Sequence, residues 1–133
     1  GSLLLKRIDE INDEKRRRAL NIIDELSDYK NIKFHRVDDK SHNYHLLVAE
    51  IGGNKRNDFI ATMFEKYKVK CVVQYYPLYK YDYYIKNGCS QEVLKNTEKF
   101  YDSMISFPFQ HTLTDDELSY MVQSIKNTYK EIF

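Results

Sequence analysis

One stripe recurs at steps of three or four along residues 3–28: Leu4, Ile8, Ile11, Lys15, Ala19, Ile22 and Leu26, with Lys15 its one polar member. That spacing predicts a single long helix with one face to bury. Its other faces are charged, with Lys6, Arg7, Asp9, Glu10, Asp13, Glu14 and the run Lys15–Arg18. A second one-sided helix closes the chain, with Leu118, Met121, Val122, Ile125 and Tyr129 on its face. Thr114-Asp115-Asp116-Glu117 is a capping box for it, with acids in the first turn to suit the helix dipole.

Strand signals are short. Residues 32–37 alternate, 44–51 are strongly apolar up to the Gly52-Gly53-Asn54 break, and 69–75 are rich in β-branched residues up to Pro77. Residues 56–67 carry Phe59, Ile60, Met63 and Phe64 at helical spacing. Ser90 is a candidate N-cap for a helix carrying Val93, Leu94, Thr97, Phe100, Tyr101 and Met104, and residues 105–109 read as short and extended. Three strands cannot cover themselves, so helices must pack on one face. The expected fold is a two-layer α+β domain: a small mixed or antiparallel sheet of about three strands, covered by helices, with a long N-terminal helix.

At 133 residues the chain has the size of one domain. Gly1-Ser2 reads as a tag remnant, which leaves 3–133 as a single domain. Leu3-Leu4-Leu5-Lys6 is already helical in character without a cap of its own, so the chain reads as a piece of something longer. Its 21 basic and 20 acidic residues give a formal charge of +1, so no global field draws it to nucleic acid or to a membrane surface. The Lys15–Arg18 run has the form of a basic patch, but flanking acids cancel it, and it reads as a solvated helix face. No apolar run approaches a membrane span. Cys71 and Cys89 make no disulfide framework, which points to a reducing, cytoplasmic setting.

The catalytic inventory is poor. His35, His42, His45 and His111 lack metal-ligand spacing, no glycine-rich phosphate loop is present, and no serine sits in a nucleophile elbow. His45 falls in a strand segment, where a core or rim histidine bonded to backbone is expected. The sequence therefore supplies no catalytic, cofactor-binding or metal residue. The exception to this poverty is the run from Gln74 to Tyr84. It holds six of the 12 tyrosines in a chain without tryptophan, and it leaves a strand end around Pro77. Tyrosine offers a rigid ring and a hydroxyl at little entropic cost, which suits sugars and bases alike. Tyr81, Tyr83 and Tyr84 fit equally well as a side core under a long loop.

Several segments, in order, resemble one family. Leu5-Lys6-Arg7-Ile8-Asp9-Glu10-Ile11-Asn12 resembles the start of the linker helix of the DegT/DnrJ/StrS sugar aminotransferases, and Ser41-His42-Asn43-Tyr44-His45-Leu46-Leu47-Val48 their first small-domain strand. Val73-Gln74-Tyr75-Tyr76-Pro77-Leu78 resembles their V-H-Y-x-P-L loop. Met104-Ile105-Ser106-Phe107-Pro108 resembles L-S-L-P, and Leu113-Thr114-Asp115-Asp116-Glu117-Leu118 the L-T-x-E-E helix start. The resemblance implies the C-terminal small domain of a fold type I, pyridoxal-phosphate-dependent enzyme that works as a homodimer. Its lysine-bearing large domain would lie outside this chain, which would be inactive alone. The implied reaction moves an amino group, usually from glutamate, onto a keto-sugar nucleotide. Gln74, Tyr75, Tyr76 and Tyr79 would then face the sugar. Gln74 stands where many members have histidine; it can hydrogen-bond but cannot shuttle a proton. Two other readings fit the same residues: a same-fold sugar dehydratase, or a cofactor-free module that binds carbohydrate or nucleic acid through the tyrosines.

Overall fold

A computed structural model describes residues 1–88 and 94–133. The elements run α1 (Ser2–Leu5), α2 (Ile8–Glu25), β1 (Ile32–Phe34), β2 (Leu47–Ile51), α3 (Arg56–Glu65), a 3-10 turn (Leu78–Lys80), α4 (Asp82–Lys86), α5 (Lys95–Ser103), β3 (Met104–Phe107) and α6 (Asp115–Ile132). The three strands pair antiparallel in the order β1-β2-β3. The expected α+β architecture is the observed one.

Register builds the core. Ile32 pairs with Ile51, Phe34 with Ala49, Ala49 with Ile105 and Leu47 with Phe107. Paired residues share a face of the sheet, so these seven form one apolar layer. Helices α2, α3 and α6 cover it with Ala19, Ile22, Ile23 and Leu26, with Phe59 and Met63, and with Leu118, Met121, Val122 and Ile125. Two polar residues of α6 are buried there and satisfied locally. Ser124 donates to the Tyr120 carbonyl at 2.8 Å, and Thr128 donates to the Met63 sulfur at 3.2 Å. The capping box forms as expected: the Glu117 N–H donates to Thr114 Oγ1 at 3.2 Å, and the Thr114 N–H donates to Glu117 Oε2 at 2.8 Å.

The structure corrects the sequence reading in four places. The 3–28 helix breaks at Lys6-Arg7, where the Arg7 N–H turns to the Leu4 carbonyl three residues back. Only the later half of its stripe is buried. Leu3, Leu4, Leu5 and Ile8 are exposed, so nothing among the described residues holds the first turn in line with the rest. The third strand is Met104–Phe107, not 69–75. In 69–75 only Val72 pairs, in a single bridge to Ser106, while Val69 and Cys71 pack into the core. Its β-branched residues report a half-buried edge rather than a ladder. The 44–51 strand is shorter than its apolar run, because Tyr44 has φ 48° and so cannot extend the strand. Finally, not every helix lies on one face: α5 crosses to the other, where Ser103 donates to Glu50 at 3.3 Å. The Ser90 cap and Val93 lie outside the described residues, as does Cys89.

The turn after β2 needs the glycine the sequence places there. Gly53 has φ 65° and is followed by Asn54 at 55°, two left-handed residues in succession. The basic run proves to be a bonded face. Arg16 pairs with Asp13, Arg17 with Glu14, and Arg18 with both Glu14 and Asp115. Arg16 also donates to the Lys40 and His42 carbonyls, which ties the 38–42 loop to α2.

Candidate functional site

The outer face of the sheet is built from the alternate residues of the same strands. The register runs His35, Val48, Ser106 and Val72 across it, since the His35 N–H donates to the Val48 carbonyl and Val72 bridges Ser106. Helix α5 stands over this face and joins its two ends. Phe100 helps line a groove of about 350 Å³ with His35, His42, Asn43, His45, Leu46 and Val48. The next residue, Tyr101, packs against the tyrosine loop, its ring edge-on to Tyr76 at 5.7 Å.

The loop presents graded exposure. Tyr75 is 72% exposed and Tyr76 is 42% exposed, while Gln74 and Tyr79 are half-buried. Gln74 Nε2 donates to the Tyr75 hydroxyl at 3.3 Å. Tyr76 also packs edge-on against Tyr81 at 5.1 Å. Tyr79 and Lys80 both donate to the Glu98 carboxylate on α5. Those bonds hold the Glu98 carboxyl below its ordinary range, with Lys80 the larger cause and Tyr79 the next. The same carboxylate raises Tyr79 and Lys80. The loop is thus pinned to α5 at two places, through Tyr76 and through Glu98, with the rings of Tyr75 and Tyr76 left at the surface. Tyr81, Tyr83 and Tyr84 are 44%, 71% and 38% exposed, so they do not form a buried side core.

Sequence reasoning took the histidines one at a time and missed their convergence. His35 comes from the end of β1, and His42 and His45 come from the loop before β2; the His35 and His42 rings stand 5.9 Å apart. The His42 Nδ1 accepts the Tyr44 N–H at 3.1 Å. Burial first, and then His35, lower the His42 pKa. His45 is exposed rather than in a strand, and its N–H donates to Asn43 at 3.0 Å. The signal that would have found the groove is the β1–β2 register, which sequence does not print. A larger groove of about 640 Å³ lies by the Gly52-Gly53 turn, but its Lys30, Lys33 and Lys99 are set against Glu50 and Asp102. Among the described residues no group of three or more His, Cys, Asp or Glu is placed to hold a metal ion, and no helix is long and apolar enough to cross a membrane.

The sequence profile of the DegT/DnrJ/EryC1/StrS aminotransferase family matches residues 1–126. The chain belongs to that family. It is 24% identical over 98 residues to the spore coat polysaccharide biosynthesis protein SpsC of Bacillus subtilis, a match covering 70% of this chain and 25% of SpsC. Among solved structures, the aminotransferase TlmJ of Streptoalloteichus hindustanus superposes with a TM-score of 0.88 at 17% identity, over 100% of this chain and 35% of that one. NtdA of Bacillus subtilis, solved with its cofactor PMP bound, gives 0.78 at 20% identity, over 90% of this chain and 28% of that one. The chain therefore spans only about a quarter to a third of these proteins.

Proposed function

We propose that this chain is the C-terminal small domain of a pyridoxal-phosphate-dependent aminotransferase that acts on a keto-sugar nucleotide, and that its tyrosine loop closes one side of the substrate cleft. The observation that carries the reading is one of proportion. The entire chain fits about a third of an aminotransferase, at a TM-score of 0.88. The name of the SpsC relative, with its polysaccharide biosynthesis, favours a sugar as the substrate.

We take the cofactor to be held mainly by residues outside this chain. Lys66, Lys80 and Lys126 are each paired with a glutamate, Glu131, Glu98 and Glu25. Among the described glycines, Gly52 and Gly53 belong to the β2 turn, where the Gly52 N–H already donates to the Asn31 carbonyl at 2.8 Å and the adjoining groove is lined by lysines and acids. The electron-sink chemistry belongs to the cofactor, and its lysine and phosphate contacts belong to a large domain outside this chain. The small domain binds and orients the substrate. Gln74 offers an amide that donates and accepts, Tyr75 and Tyr76 offer hydroxyls and faces, and Tyr79, held by Glu98, backs them. Glutamate as donor, homodimeric assembly and a cytoplasmic setting complete the proposal.

In the full-length enzyme, Gln74→Ala and Tyr76→Phe should each raise the KM for the sugar nucleotide several-fold, with the half-reaction with the amino donor less affected. Each lost hydrogen bond is worth about 0.5–1.5 kcal/mol. Unchanged sugar kinetics with a melting temperature several degrees lower would make the loop a structural element and end the reading. An upstream reading frame continuous with Leu3 and holding a lysine-bearing cofactor domain is the cheapest independent check.

A further inference from the structure

Strand pairing at the sheet edge stops at Val72, and Met104 explains why. Val72 and Ser106 exchange both backbone hydrogen bonds, at 3.0 and 2.8 Å. In an antiparallel ladder the next pair of that kind would join Gln74 to Met104. Both backbone groups of Met104 are already engaged. Its N–H caps α5 by donating to the Phe100 carbonyl, and its carbonyl accepts a long hydrogen bond of 3.5 Å from Arg56 Nη1. The Met104 N–H is spent and the Arg56 side chain stands at its carbonyl, so the Gln74–Met104 pair does not form and the chain leaves the edge there.

Arg56 is unusual among the arginines. Arg7, Arg16, Arg17, Arg18 and Arg36 all pair with carboxylates. Among the described residues Arg56 has no such partner, and its Nε is buried without a hydrogen bond. Its guanidinium instead lies 5.7 Å from the centroid of the Tyr101 ring. Tyr101 in turn meets Tyr76 edge-on at 5.7 Å, and Tyr76 meets Tyr81 at 5.1 Å. A planar guanidinium can lie on a ring and donate sideways to a carbonyl at once, which an ammonium cannot do. α3 supplies this group from its first residue, so the core helix reaches the loop through two side chains in series, Arg56 and then Tyr101 of α5.

We propose that Arg56 is a positioning residue for the tyrosine loop: by occupying the Met104 carbonyl and lying against Tyr101, it ends the ladder at Val72 and sets Tyr76 at the rim. The functional half of this rests on the loop facing the sugar, as proposed above.

The test has two arms. In this chain, Arg56→Met should shift the Tyr76 ring resonances, two contacts away. It should also slow exchange of the Gln74 amide several-fold, as the freed Met104 carbonyl becomes available to it. Arg56→Lys, which keeps the charge but not the fork, should do both to a lesser degree and serves should the methionine variant not fold. Unmoved Tyr76 rings and unchanged Gln74 exchange in a folded variant would overturn the proposal. In the full-length enzyme, Arg56→Met should raise the KM for the sugar nucleotide several-fold with kcat little changed. Adding Tyr76→Phe should then give no further rise; additive effects would count against positioning. If Tyr76→Phe alone leaves KM unchanged, the substrate reading fails, and the Arg56 role is judged on the ring shifts and amide exchange alone.

Discussion

Tyr44→Phe should loosen the loop that carries His42 and His45 while sparing the ring. Tyr44 is 1% exposed and sits at φ 48°, a left-handed conformation that a non-glycine residue adopts only when its surroundings hold it there. Its hydroxyl both accepts the Val37 N–H at 2.8 Å and donates to the Val37 carbonyl at 2.9 Å. One side chain thereby closes the loop from residue 37 to residue 44. Phenylalanine keeps the ring, the packing on His42 and the backbone strain, and removes only these two bonds. Each is worth about 1 kcal/mol net. Val37 is half-buried, so water recovers part of the loss. A total of about 1.5 kcal/mol follows from those two bonds. With a slope of about 2 kcal/mol/M in urea, the unfolding midpoint should fall by about 0.7 M. Urea unfolding followed by far-UV circular dichroism measures this, and amide exchange at Val37 should quicken in parallel. An unchanged midpoint with a fully protected Val37 amide would refute the reasoning, and would mean that Arg16 and the ring hold the loop without the hydroxyl.

Thr114→Ala removes the N-cap of α6, and urea unfolding should show a loss of about 1 kcal/mol, with little change for Thr114→Ser. Glu14 is held at about 2, chiefly by its bond from Arg17, with Arg18 adding to it against the cost of desolvation. Its folded pKa lies below the unfolded value, so its contribution is full above about pH 4.5 and fades as pH falls towards 2; Glu14→Gln should flatten that part of the curve of urea midpoint against pH. Burial pushes the Cys71 thiol up to about 12, so with Cys89 replaced by serine a disulfide reagent at pH 8 should react only after denaturation, and rapid labelling of the native chain would contradict the buried edge position.

Local pattern determined the place of α2 and α6, the start of β1, the end of β2, the α6 cap and the division between core and charged faces, but not the break at Lys6-Arg7 or the true length of either strand. These depend on neighbours three or four residues apart in a helix and two apart in a strand. The order of family-like segments, from Leu5 to Leu118, likewise belongs to the sequence. What it could not carry was anything that depends on which edge meets which. Segment 69–75 has stronger β character than Met104–Phe107, yet the latter took the ladder, because β3 lies beside β2 and is buried at all four positions. Segment 69–75 was left with one bridge, since the Met104 groups that would extend it are spent on Phe100 and Arg56. The same long-range pairing brought His35 to His42 and His45, and set Arg56 against Tyr101 across 45 positions of sequence. Each of those contacts is a single side chain meeting another across the fold. No local propensity encodes such a meeting, and only the packed tertiary structure decides it.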